Sequence, residues 1–217
     1  GPLSFRSYLV NGLDARGFSA SGVRGGRQKG SKAMATDMAF VTRFDLTPTP
    51  GLLIGTSIYS GGSGHGQIRS GQTEYRVRNT IWDIHGTLQM RGWTVAGLFA
   101  QSHIGDAVPL NQYLESDSDS PVAERLRGGY IQGGYNILNR FHDSVSLTLY
   151  YRFERVDTQN RIPLGYSPNP TKIGLFHTFG LELKPITNIV IKADYQWHKN
   201  DAKSGLDQFN IVLGYAF

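Results

Sequence analysis

Gln208-Phe209-Asn210-Ile211-Val212-Leu213-Gly214-Tyr215-Ala216-Phe217 alternates without a break. Successive side chains of a strand point to opposite faces. Phe209, Ile211, Leu213, Tyr215 and Phe217 therefore fall on one side, and Asn210, Val212, Gly214 and Ala216 on the other. The first side is bulky and apolar; the second is small or polar. Such a strand fits a β-barrel wall with lipid outside and water inside, or one layer of a soluble sandwich. The rest of the chain must choose between them.

Period-two segments recur at Ser4–Val10, Thr36–Leu46, Leu52–Ser60, Tyr75–Met90 and Trp93–His103. They continue at Arg127–Leu138, Asp143–Val156, Lys172–Lys184, Ile189–His198 and Gln208–Phe217. The pattern predicts about ten strands. In one, Trp82, Ile84 and Leu88 oppose Asp83, His85, Thr87 and Gln89. In another, Val145, Leu147, Leu149, Tyr151 and Phe153 oppose Ser146, Thr148, Tyr150, Arg152 and Glu154. In a third, Ile191, Ala193, Tyr195 and Trp197 oppose Lys192, Asp194, Gln196 and His198. Charges on the inner face of a dry sandwich are costly, and a water-filled interior removes the cost.

The connections alternate short and long. Thr47–Gly51, Arg91-Gly92, Asn139–His142 and Pro185–Asn188 are tight turns. Asn11–Ala35, Gly61–Glu74, Ile104–Leu126 and Asp157–Thr171 are long loops, with a shorter one at Lys199–Asp207. Short periplasmic turns and long outer loops are the habit of outer-membrane barrels, and a sandwich has no reason to keep that parity. The expectation is an all-β fold: an antiparallel transmembrane β-barrel forming one domain over residues 1–217, in the bacterial outer membrane. Trp93 and Phe141 beside the turns, and Tyr59, Tyr75, Phe176 and Trp197 near the loop ends, are expected to form interfacial girdles.

The 217 residues contain no cysteine and no apolar run of the length, about eighteen residues, that a membrane helix needs. Mean hydropathy is negative, which by itself points weakly to a soluble protein and is also what a barrel with a polar lumen gives. The chain begins Gly1-Pro2-Leu3, without a Met or a charged-then-apolar leader, and reads as processed, tagged or truncated. The formal charge is +5, and nucleic acid is not an expected partner.

The expected lumen face carries Arg6, Arg43, Arg152, Lys184 and Lys192 against Asp45, Asp83, Glu154, Glu182 and Asp194, with His85 and His198 also inward. These are read as pairing across strands, which leaves the wall without a strong ion preference. The Asn11–Ala35 loop is asymmetric, with Arg16, Arg24, Arg27, Lys29 and Lys32 opposed by Asp14 alone. It reads as a constriction that attracts anions, as an exposed loop that meets lipid phosphates, or as a solubility device. Glu115-Ser116-Asp117-Ser118-Asp119 reads as a solvated acidic tip, and Gly61–Gly66 as a flexible loop. The histidines show no metal-type pairing, and no serine sits in a nucleophile motif. Neither an enzyme nor a cofactor or metal site is expected.

The final strand, with Phe209, Tyr215 and a terminal Phe217, resembles the C-terminal assembly signal of bacterial outer-membrane proteins. Tyr8-Leu9-Val10-Asn11-Gly12, Arg24–Gly30 and Phe44–Gly51 resemble the porin superfamily that includes the phosphate-selective porins O and P. So do Gly133–Leu138, Tyr151–Gln159, Gly180–Pro185 and Lys192–Gln196, in order across nearly the whole chain. The lysine-rich constriction of the phosphate-specific members is not recognisable. The resemblance implies a barrel larger than the strands present: either the ten strands close on themselves, or this chain is the C-terminal portion of a bigger barrel, the reading that its abrupt start in a strand favours. It also implies passive diffusion of small hydrophilic solutes or anions, contact with outer-membrane lipids and lipopolysaccharide, and a homo-oligomer, for instance a trimer. The alternative is a structural barrel whose lumen is filled by a plug or a partner protein. A membrane-embedded hydrolase would need a Ser–His constellation that the sequence lacks.

Overall fold

A computed structural model describes residues 1–141 and 144–216. In chain order its strands are β1 (Leu3–Asn11), β2 (Met38–Thr49), β3 (Leu52–Gly61), β4 (Arg69–Ser70), β5 (Thr73–Glu74) and β6 (Asn79–Met90). They continue with β7 (Trp93–Ile104), β8 (Arg125–Asn136), β9 (Ser146–Arg161), β10 (Ile173–Ile186), β11 (Ile189–Asn200) and β12 (Gln208–Tyr215). One short helix, α1 (Ala107–Tyr113), lies between β7 and β8. All strands except the β4–β5 hairpin form a 10-stranded antiparallel sheet in the order β1-β2-β3-β6-β7-β8-β9-β10-β11-β12. Every large-sheet strand pairs with its sequence neighbour in that sheet.

The ladders carry each face in line from strand to strand. Phe5 faces Phe44, Phe44 faces Thr56, Thr56 faces Ile84, and Ile84 faces Phe99. Leu149 faces Leu181, Leu181 faces Ala193, and Ala193 faces Ile211. Most bulky apolar side chains thus collect on one face of the ten strands, and most charged ones on the other. Register carries this outcome, since a one-residue slip would exchange the faces of a strand.

Turn chemistry holds the register. Arg91 and Gly92 both have positive φ, 51° and 85°, the type I′ pattern whose twist matches the flanking strands. Pro48 and Pro185 cannot donate to a ladder, and both sit where the register shifts, between Leu46 and Thr49 and between Leu183 and Ile186.

The ten strands do not close into a barrel among the described residues. β1 pairs with β2 and β12 with β11, and neither outer edge is paired within the sheet. The ten expected strands are present, with ends that agree within about five residues. Thr36, Asp37 and residues 75–78 belong to loops, whereas β9 runs on to Arg161. His142 and Asp143, which fall in an expected turn and strand, lie outside the described residues, as does Phe217.

No second layer covers the sheet among the described residues. Its apolar face leaves Phe5, Leu9, Ile131, Leu149, Phe179, Phe209, Ile211 and Leu213 more than half exposed. Soluble monomers rarely tolerate contiguous apolar patches beyond about 600 Å². The buried apolar cluster lies instead among the long loops, where Ala15, Phe18, Ile68, Val77, Leu110, Val122 and Ala123 pack on Ile104 and Leu126 at the loop ends of β7 and β8. Asn111 locks this cap: its amide donates to Ala107 O at 2.8 Å and Val122 O at 2.9 Å, and its Oδ1 accepts from Val122 N.

Leu110 is fully buried in that cluster. Leu110→Ala is expected to destabilise the cap by about 2–5 kcal/mol, through lost burial and the cavity left behind. Hydrogen exchange should quicken in residues 12–26 and 105–124 while the amides of β8 to β11 keep their protection.

Candidate functional site

Side chains at alternate positions bring the expected lumen residues onto one polar face. On β1 to β6 these are Arg6, Arg43, Asp45, Ser57, Asp83 and His85. On β8 to β12 they are Tyr130, Arg152, Glu154, Glu182, Lys184, Lys192, Asp194, His198 and Asn210. Leu98, Ala100, Val156 and Val212 interrupt the polar character. A trough of about 850 Å³ spans this face from Gln89 on β6 to Asn210 on β12.

The charges are consumed locally, largely along single strands. Arg43 Nε donates to Asp45 at 2.7 Å, and Arg152 Nη2 to Glu154 at 2.6 Å; each pair is two residues apart on one strand and so on one face. His85 lies between Asp83 (2.6 Å) and Asp45 (3.3 Å), and Ser57 Oγ donates to Asp83. Glu182 takes Lys184 at 3.1 Å on its own strand and Lys192 at 2.6 Å across the ladder. The expected pairing across strands therefore holds for Lys192–Glu182 and for Asp45–His85, while the remaining pairs run along a strand.

Some lining groups have other arrangements. Asp194 has no cation among the described residues; Tyr150 Oη donates to it at 3.2 Å and Asn210 Nδ2 at 2.9 Å. The Arg152 guanidinium lies 3.7 Å over the Tyr130 ring, and His198 stacks on Phe176 at 4.2 Å. Exposed ion pairs add about 0–1 kcal/mol each, so their consequence here is a face whose opposite charges cancel.

Aromatic placement corrects part of the girdle expectation. Trp93 pairs with Tyr135 on the apolar face near the turn end, and Trp197 lies on that face near the loops. Phe176 is on the polar face, Tyr59 turns inward to accept from Leu13 N at 2.9 Å, and Tyr75 packs against the cap cluster. Strand alternation put Phe176 and Tyr59 inside. Tyr75 lies in a loop, where alternation does not apply.

Residues 12–37 form an arch. The arch leaves β1 and crosses to the far side of the sheet, where Thr158 Oγ1 of β9 donates to Ala20 O at 2.6 Å and Gln159 Nε2 at 3.2 Å. Leu126, on the polar side of β8, lies under Gly22, and Phe18 is buried beside Ile104. The arch therefore lies over the loop end of the hollow face. Its return leg is knotted by His65, which is buried at 3% exposure. The His65 ring contacts Thr36 Oγ1 (2.9 Å), Leu13 O (3.1 Å) and Gln28 Nε2 (3.2 Å), and its Nδ1 accepts from Asp37 N. His65 N in turn donates to the Asp37 carboxylate at 2.7 Å. The glycine-rich stretch expected to be flexible is thus buried from Gly61 to His65. Absent side chains here permit close backbone packing: a Cβ on Gly12 would strike the carbonyl oxygen of Gly62. Sequence gives the glycines, and only the fold shows two glycine-rich segments meeting.

The basic residues of the arch divide in two. Arg16 is paired with Asp14 at 2.8 Å. Arg24, Arg27, Lys29 and Lys32 are exposed, and none is in an ion pair among the described residues. The acidic stretch 115–119 stays largely exposed, and no metal-holding cluster occurs among the described residues.

No family model matches the chain. It is 28% identical over 224 residues to an uncharacterized protein of Aquifex aeolicus (strain VF5), an alignment covering 99% of this chain and 50% of that protein. The chain therefore spans about half the length of the relative it matches.

Two outcomes follow from this geometry. A side chain at Gly180 would collide with the Tyr150 ring, so Gly180→Val should displace Tyr150 from Asp194 and cost about 1–3 kcal/mol in denaturant unfolding. At Asp14 partial burial pushes the carboxyl pKa up, but the Arg16 bonds outweigh it and leave the pKa below its ordinary value. A lowered carboxylate pKa gives stability that is present above the unfolded value and lost as pH falls through the folded one. Amide protection around residues 14–17 should fall on acidification through that range, and Asp14→Asn should remove the step.

Proposed function

We propose that this chain is part of the wall and mouth of a bacterial outer-membrane pore of the phosphate-selective porin O/P-like superfamily. Small hydrophilic solutes and ions diffuse passively along the polar face. The observation that carries this reading is the segregation of apolar and polar side chains, held in register through all ten strands, with the polar side hollow. On β10 the apolar file from Leu175 to Leu183 is about 27 Å of strand, enough when tilted to cross most of a hydrocarbon band about 25 Å tall. The charged face then meets water, and the apolar face meets acyl chains instead of a missing second layer.

An open edge is not tolerated in lipid, because its amides and carbonyls would lack partners. In this reading further strands stand between β1 and β12 and complete a larger barrel. The barrels associate as a homo-oligomer, a trimer being the simplest such assembly, through part of the apolar wall. Short turns face the periplasm and the knitted loops face outward. With the wall charges cancelled, selectivity falls to Arg24, Arg27, Lys29 and Lys32 on the arch, which favour anions modestly. The cap over the hollow face also suits the competing reading, a barrel whose lumen is filled by a plug or a partner.

Single-channel recording of the purified full-length protein in planar bilayers, under a salt gradient, tests this. Discrete steps with a reversal potential favouring anions are expected. Replacing Arg24, Arg27, Lys29 and Lys32 by Gln should abolish the preference while the steps persist. Silence from a folded, inserted protein would sink the open pore in favour of the filled barrel.

A further inference from the structure

The apolar face is not uniformly uncharged. Its ladder positions place Arg155 beside Gly129 and Leu175, with Lys199 next in the same row. Arg127 and Asp157 form the row above, toward the loops. Below these rows, down to the short turns, the ladders put no Asp, Glu, Lys or Arg on this face of any strand. Cationic groups thus stand on the apolar side of the wall at its loop end alone.

They surround a built hollow. Phe99, Arg127, Gly128, Gly129, Arg155 and Asp157 line a cavity of about 260 Å³. Asp157 sets one negative charge against the two arginines: the side chain is buried, with Oδ1 accepting from Gln159 N and Oδ2 from Asn160 Nδ2, both at 3.1 Å, so the cavity keeps a net positive charge. Arg127 reaches Asp157 only at 3.5 Å, and Arg155 is exposed and in no ion pair among the described residues. Below the hollow on β8 come Ile131, more than half exposed, and Gly133, where a side chain would meet nothing within 4 Å. Gly133 lines a second apolar hollow, of about 640 Å³, beside Tyr135, Tyr151 and Phe179. From Gly129 to Gly133 is about 13 Å of strand, close to the ~15 Å depth of one leaflet's hydrocarbon.

We propose that this is a binding site for lipopolysaccharide. Arg155 and Arg127 take a phosphate of the lipid A head group, and an acyl chain runs down the apolar face past Ile131 to the second hollow. Guanidinium forks match phosphate oxygens in two-point hydrogen bonds that a carboxylate at 3.5 Å does not saturate. The assignment rests on the outer-membrane reading, in which the loop end faces the lipopolysaccharide leaflet. The charge-free turn end would then lie among phospholipids.

The test uses full-length protein, folded in detergent and reconstituted into phosphatidylcholine vesicles, titrated with lipid A, dephosphorylated lipid A and phosphatidylglycerol. Saturable binding of lipid A is expected, weakened about tenfold or more by the Arg127→Ala/Arg155→Ala double substitution. Arg155→Lys is expected to retain part of it. Wild-type protein alone should prefer phosphorylated over dephosphorylated lipid A, a comparison that does not depend on the variants folding. Equal affinity for the two lipid A forms, equal affinity for phosphatidylglycerol, or no effect of the double substitution would overturn the site while leaving an inserted barrel intact. Failure of the wild type to insert at all would instead remove the membrane reading and this site with it.

Discussion

Backbone hydrogen bonding between neighbouring strands is the constraint from which the rest of this structure follows. Each antiparallel ladder fixes which residue stands opposite which, and side chains alternate at every step. Register alone therefore decides that Phe5 meets Phe44 and that Glu182 meets Lys192. The proline bulges and the Arg91-Gly92 turn protect that register at the ends where an error would begin. Side-chain packing contributes less than in a globular domain, because neither face of the sheet is covered by another layer.

The same ladders explain how charge is handled. A cation and an anion two residues apart on a strand share a face, so Arg43–Asp45 and Arg152–Glu154 pair without help from a neighbouring strand. Cross-strand contacts such as Lys192–Glu182 then join adjacent strands. The hollow face is rich in charged groups yet balanced. The unbalanced charge has moved to the arch and to the loop-end rim of the apolar face, where Arg24, Arg27, Lys29, Lys32 and Arg155 are exposed.

Most of the wall was legible in the sequence, because period two is a local signal and ten strands repeat it. The lumen residues from Arg6 to His198 were placed by alternation, and the ladders put them on one face. The loops were not legible. Ala20 and Gln159 are far apart in the chain, and nothing in either neighbourhood announces their bond. Gly61–Gly66 has the composition of a mobile loop, but its lack of side chains lets it pack against Gly12 and Asp37. Tyr59 and Tyr75 are typical interfacial residues by type, and the cap draws both toward itself. Closure of the sheet is likewise a property of its two edges, which no internal alternation encodes.

The tether between Ala20 and β9 also sets an order of assembly. Its partners are 138 and 139 residues apart, and every strand from β1 to β9 must be in line before they meet. Loop closure over such a span brings no return until the intervening ladders exist. Construction therefore runs from wall to lid, and the hollow stands uncovered until the arch docks. A molecule that the docked arch would shut out can reach the loop end of the polar face freely during that interval.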